Sequence, residues 1–150
     1  MIKLDFRART PVLTQIQHYC KSSPENETGG ILMGFQTANG IEVVAASDAG
    51  PNATANPGHF VRDTAHCAQI LAKEFAVSGA DYIGEWHSHL ATPAHPSAGD
   101  LLTLARIMLD PDYNFGYFGM ILAILTPSGS VRLQGYLASR PSQDRREYPH

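Results

Sequence analysis

A chain of 150 residues fits one domain and leaves little room for two, and a monomer of this size buries roughly 68% of its unfolded surface, enough for a core without staples. Its 43% hydrophobic and 17% charged content excludes a disordered chain, which carries fewer large apolar residues and more net charge. Eleven basic against 14 acidic residues leave a net charge of -3, which excludes a strong electrostatic grip on nucleic acid or anionic lipid.

Along the chain, Ile2, Leu4 and Phe6 alternate as on a first strand. Thr10 before Pro11 predicts a helix start, with a hydroxyl N-cap and then proline at the first helical position. Leu13, Ile16 and Cys20 keep helical spacing, and the helix should stop before Pro24. Thr28 to Phe35 and Ile41 to Ala46 read as paired strands, with Asn39-Gly40 as the hairpin turn. Ser47 to His59 has no period and is rich in Gly, Pro, Asn and Ala, so it reads as a long surface loop of the kind that often carries function. A second helix is predicted from Asp63 to Ser78, with Cys67, Ile70, Leu71 and Phe75 on one face and Gly79 as C-cap.

Tyr82 to His87 is a strand, and after a Pro/Ala/His loop a third helix runs from Ser97 to about Leu109. Beyond a loop over Asp110 to Gly116, two last strands, Tyr117 to Thr126 and Ser130 to Leu137, are joined by Pro127-Ser128-Gly129. The domain should occupy residues 1–138, with a polar tail over 139–150. These elements give an α/β sandwich in which helices flank a mixed β-sheet. Cys20 and Cys67 are too few for a disulfide framework and too far apart for a C-x-x-C knuckle, so they read as buried thiols in a reducing compartment. The N-terminus has no apolar core of a signal peptide, and no apolar run approaches the ~18 residues that span a bilayer, which points to the cytoplasm and away from membranes.

The segment Gly84-Glu85-Trp86-His87-Ser88-His89 carries chemistry. On a strand, residues two apart share a face, so His87 and His89 present both imidazoles to one point while Trp86 and Ser88 face away. Asp100 falls in the first turn of the following helix, and two imidazoles with one carboxylate are three ligands of the kind zinc takes, leaving a fourth position open. Two plainer readings compete. Ser97-Ala98-Gly99-Asp100 also fits a capping box, Ser at N-cap with a carboxylate at N3, and a lone His-x-His is often a pair of hydrogen-bonded surface histidines. Other His-x-His chemistries do not fit: amidohydrolase barrels need about 200 residues or more, nucleobase deaminases need a later P-C-x-x-C, and no His-Glu-x-x-His occurs.

His87, His89, Ser97 and Asp100 match the spacing His-x-His, seven residues, Ser, two residues, Asp, and so the sequence resembles the JAMM motif of the JAB/MPN metalloprotease family. Glu27-Thr28-Gly29-Gly30-Ile31-Leu32-Met33-Gly34 is similar to the family's glutamate segment. The resemblance covers most of the chain and is greatest to short, stand-alone prokaryotic members, including deubiquitinase-like proteins of bacterial antiphage operons. Two departures stand out: Leu90 follows His89 where the family very often has Pro, and His95 adds an imidazole near the motif.

What the resemblance implies is a cytidine deaminase-like MPN/JAB sandwich holding one Zn2+ per chain on His87, His89 and Asp100. Glu27 is then the general base and acid, and Ser97 the hydrogen-bond donor to the oxyanion. Glu25 and Glu85 compete for the role of base, and Glu85 shares the strand face of His87. His18, His59, His66 and His150 read as ordinary polar histidines. The implied activity is hydrolysis of the amide bond after the C-terminal glycine of a ubiquitin-like protein, in deconjugation or precursor processing, with E1-like or E2-like enzymes encoded nearby. The alternatives are a peptidase that processes sulfur-carrier proteins and a non-catalytic MPN scaffold.

Overall fold

The computed structural model describes residues 4–56, 59–90, 98–110 and 116–139, with only the backbone of 55, 56, 59, 98–101, 103 and 104. In chain order these form β1 (Asp5–Ala8), α1 (Thr10–Lys21), β2 (Gly29–Thr37), β3 (Gly40–Ala46), β4 (Thr54–Asn56), β5 (His59–Val61), α2 (Thr64–Ser78), β6 (Asp81–Leu90), α3 (Ala98–Leu109), β7 (Tyr117–Leu125) and β8 (Val131–Ser139). Among the described residues, one six-stranded sheet runs in the order β1-β3-β2-β6-β7-β8, and β4 and β5 form a separate hairpin. β1 pairs with β3, and β6 with β7, in parallel, while the other pairings are antiparallel. The sheet is therefore mixed, as the sequence predicts.

Each face of the sheet buries its own cluster. Val12, Ile16 and Cys20 of α1 pack on Leu32, Ile41, Val43, Trp86 and Ile121. On the other face, Cys67 of α2 packs with Ile31, Met33 and Ala80. The central strands are buried on both faces, which is why β2 and β7 read as near-continuous apolar runs instead of alternating. Trp86 anchors the middle of the sheet: it is 1% exposed, it stacks on Tyr19 with ring centres 5.9 Å apart, and its indole N–H donates to the carbonyl of Ser47 at 2.8 Å. Burial pushes both thiols, Cys20 and Cys67, above their ordinary pKa, as suits core residues.

Several local expectations are corrected. The cap of α1 is Arg9 and not Thr10, because the Arg9 N–H donates to the carbonyl of Val43 at 3.1 Å and holds that residue extended, so the helix starts at Thr10, one position earlier than predicted. The hairpin turn is Ala38-Asn39, and Gly40 opens β3. Glycine is required there for a different reason: a Cβ at that position would run into the carbonyl of Asp5 on the neighbouring β1. The segment Ser47 to His59 is not a surface loop throughout. Ser47 is 1% exposed, its hydroxyl accepts from the N–H of Ile31 at 2.9 Å, and the segment's second half forms the β4–β5 hairpin.

Asp63 caps α2 by accepting from the N–H of His66, and Gly79 closes the helix in the left-handed region at φ 78°. The predicted apolar face of α2 fails at Phe75, which is 57% exposed. The cluster on that face takes in Cys67, Ile70 and Leu71 and no described residue of the last two turns, so nothing draws Phe75 inward. The first strand begins at Asp5, leaving Leu4 51% exposed outside it. β8 extends to Ser139, where the polar tail was expected to begin, and residues 140–150 lie outside the described residues. Among the described residues, no helix is long and apolar enough to cross a membrane.

Candidate active site

β6 is longer than the sequence suggests and carries Glu85, His87 and His89 on one face within a single strand, Asp81–Leu90. In the parallel ladder their partners are Met120, Leu122 and Ile124. Across the antiparallel ladder Glu85 faces Ile31, which belongs to the cluster under α2, so the three side chains lie on the α2 side of the sheet. The imidazoles of His87 and His89 have their centres 5.3 Å apart, tilted by 41°. His89 is 5% exposed, and the Nε2 atom of His87 is buried.

On the opposite side of β6, Ser88 is completely buried. Its hydroxyl accepts from the N–H of Thr28 at 2.9 Å, and its own N–H donates to the carbonyl of Thr28 at 2.7 Å. Gly29 pairs with His87 directly alongside. A Cβ at Gly29 would meet the carbonyl of Trp86 and, at 2.8 Å, the Cβ of His87, so only glycine lets β2 lie this close. The half-buried Glu27 precedes this clasp by one residue and is thereby held at the end of the strand that bears the histidines.

Glu85 is already engaged. Its Oε1 accepts from Arg62 Nη1 and, at 2.8 Å, from the hydroxyl of Tyr82. Burial works against the charge on Arg62, but the charge of Glu85 and its hydrogen bond hold the guanidinium above its ordinary pKa. Arg62, Glu85 and His87 line one cavity of about 360 Å³ with Phe60, Val61 and Met120. At the base of the hairpin, His66 Nε2 meets Asp48 Oδ1 at 2.5 Å, so His66 has a specific partner that its sequence position did not suggest.

Of the predicted site residues, Glu27, His87 and His89 come to one region of the sheet. The backbone of Asp100 lies in the first turn of α3; its side chain, Ser97 and His95 lie outside the described residues. Among the described side chains no group of three potential metal ligands occurs, so a third protein ligand beside His87 and His89 would have to come from outside them. The two imidazoles suit a shared ion, since rings ligating one tetrahedral zinc at ~2.0–2.1 Å have centres about 5 Å apart. The roles of Ser88 and Arg62 were not legible in the sequence. Alternation places Ser88 away from the histidines, yet nothing local names a partner 60 residues earlier.

A model of the prokaryotic homologues of the JAB domain matches residues 9–134. The chain belongs to this family. Among curated proteins this JAB homologue is similar to a CD-NTase/cGAS isopeptidase of Enterobacter hormaechei subsp. hoffmannii, 28% identical over 130 residues that cover 85% of this chain and 72% of the relative. Two solution structures share its fold. One, a protein of Desulfitobacterium hafniense, has a TM-score of 0.66 at 22% identity, covering 91% of this chain and 86% of the other. The second, from Salinibacter ruber, has a TM-score of 0.55 at 23% identity, covering 93% and 84%. Family and relative together support a peptidase or isopeptidase role for this JAB domain.

Proposed function

We propose that this JAB domain is a zinc-dependent isopeptidase that cuts the amide bond after the C-terminal glycine of a ubiquitin-like protein, freeing it from a conjugate or trimming its precursor. The observation that carries the reading is the pair of imidazoles on β6, 5.3 Å apart, with the Glu27-Thr28 segment clasped to the same strand at Ser88. The isopeptidase name of the relative favours a conjugate as substrate, and a modifier attached to a nucleotidyltransferase in a bacterial ubiquitination-like antiphage system fits that name.

His87, His89 and Asp100 would hold the ion, three ligands with a fourth position open. Zinc bound there supplies the Lewis acidity that lets water lose a proton near neutral pH. Glu27 accepts that proton as the oxygen adds to the scissile carbonyl, and it returns the proton to the amine as the C–N bond breaks. Ser97 donates to the developing oxyanion, a contribution of roughly 2.7–4 kcal/mol where single donors have been removed. Glu85 is a poor base because its Oε1 already accepts from Arg62 and Tyr82.

Intact mass spectrometry tests the reading on fusions that carry a short peptide after the last glycine of a ubiquitin-like domain, each paired with a twin in which that glycine is Leu. The glycine fusions should be cut and the Leu fusions spared. Glu27→Gln should lose about 10²–10⁴-fold in turnover, while Glu85→Gln should leave kcat within about threefold. Cleavage indifferent to the Leu replacement would refute the substrate class, and an inactive Glu85→Gln beside an active Glu27→Gln would reverse the assignment of the base.

A further inference from the structure

We propose that Arg62 is a substrate-binding residue of this site, donating a hydrogen bond from its fixed guanidinium to a main-chain carbonyl of the peptide tail that leads to the scissile bond. The inference rests on the reading that an extended tail is the substrate, and it adds the residue that grips the tail. Arg62 sits between the end of β5 and the cap of α2, so a hairpin and a helix start fix its backbone from both sides. Its side chain shares a cavity wall with His87, Glu85 and Thr64, beside the apolar Phe60, Val61 and Met120. A cavity of about 360 Å³ is at the lower end of the ~300–1,000 Å³ typical of ligand pockets, which suits a thin extended chain better than a bulky side chain.

The guanidinium has donors to spare. It carries five N–H groups; Nη1 serves Glu85, and the buried Nε finds no hydrogen-bond partner among the described residues. A buried cationic donor left unsatisfied is costly; Nε itself is closed to an arriving acceptor, so the remaining Nη N–H groups of the cavity-lining Arg62 are the ones that serve it. Charge selects the kind of acceptor. Glu85 and Arg62 have side chains only 15% and 28% exposed and together form a neutral pair, so the cavity offers directed N–H groups without net positive charge. A carboxylate or phosphate gains little there, whereas a peptide carbonyl, neutral and a strong acceptor, loses little solvation on entering. Tyr82, donating to the same Oε1, keeps the carboxylate from turning toward the tail and so holds the guanidinium in place.

The test uses fluorogenic peptides that end in glycine joined to aminomethylcoumarin, together with a twin in which the amide two residues ahead of the scissile bond is replaced by an alkene isostere lacking the carbonyl. Arg62→Ala should raise KM for the amide peptide by about ten- to hundredfold with kcat nearly unchanged, the scale of one hydrogen bond to a charged donor. The wild type should show a similar rise in KM on passing from the amide to the alkene peptide, a measurement that does not depend on any variant folding. In Arg62→Ala the two peptides should be bound alike. If the wild type cleaves the amide peptide and neither the variant nor the isostere changes KM, the assignment of Arg62 is overturned and the isopeptidase reading stands. If the wild type cleaves neither these peptides nor the glycine fusions, the isopeptidase reading fails, and this inference fails with it.

Discussion

Ser88 stands between the two histidines in sequence and behind them in space, and its replacement by alanine separates the placement of Glu27 from the binding of metal. The hydroxyl of Ser88 is the acceptor for the N–H of Thr28 at 2.9 Å in a completely buried position. Ser88→Ala leaves that N–H short of its partner, which costs about 1–3 kcal/mol. In a domain of this size each kcal/mol lowers the melting temperature by about 2–4 °C, so the variant should melt about 2–12 °C lower. The other half of the clasp, the Ser88 N–H to the carbonyl of Thr28 at 2.7 Å, remains, so the segment loosens without detaching. A base displaced by ~1 Å costs up to about 10² in rate, and kcat should fall by that order while KM and zinc content hold. Thermal melts, steady-state kinetics and metal analysis on the same preparation read all three quantities. In a Glu27→Gln background, Ser88→Ala should cost almost no further turnover, because the group it positions has been disabled. Wild-type kcat in Ser88→Ala, or an undiminished loss in the double variant, would refute the claim that Ser88 acts through Glu27.

His89→Ala should take bound zinc from about one ion per chain to a small fraction of that, since it removes one of three proposed ligands; equal zinc in wild type and variant, by elemental analysis, would remove the site. Asp63, whose carboxylate accepts from the N–H groups of His66 and Asn52, has its pKa lowered chiefly by those two bonds. A lowered folded-state pKa stabilises above the unfolded value of about 3.9 and loses that contribution as pH falls through the folded value. Asp63→Ala should therefore lower the urea midpoint clearly at pH 7, with the deficit against wild type shrinking toward about pH 3; a deficit independent of pH would argue that the carboxylate charge plays no part.

Much of this fold is written in local chemistry. The helical spacing of Ile16 and Cys20, the glycine after α2 and the apolar runs of β2 and β7 act within a few residues, and so they announce their elements in the sequence. The same holds for His87 and His89, whose shared face follows from the period of a strand alone. Contacts across the chain decide the rest. Arg9 is held extended by Val43, which no capping preference at Thr10 can override. Ser47 is buried because Trp86 and Ile31 need its carbonyl and hydroxyl. Glu85 and Glu27 look alike as acids near the motif, and they are told apart only when Arg62 and Tyr82 engage the first and the Ser88 clasp holds the segment of the second. A residue's periodicity depends on its own backbone, but its partner, its burial and the acceptors already spent on it depend on chain that lies far away in sequence.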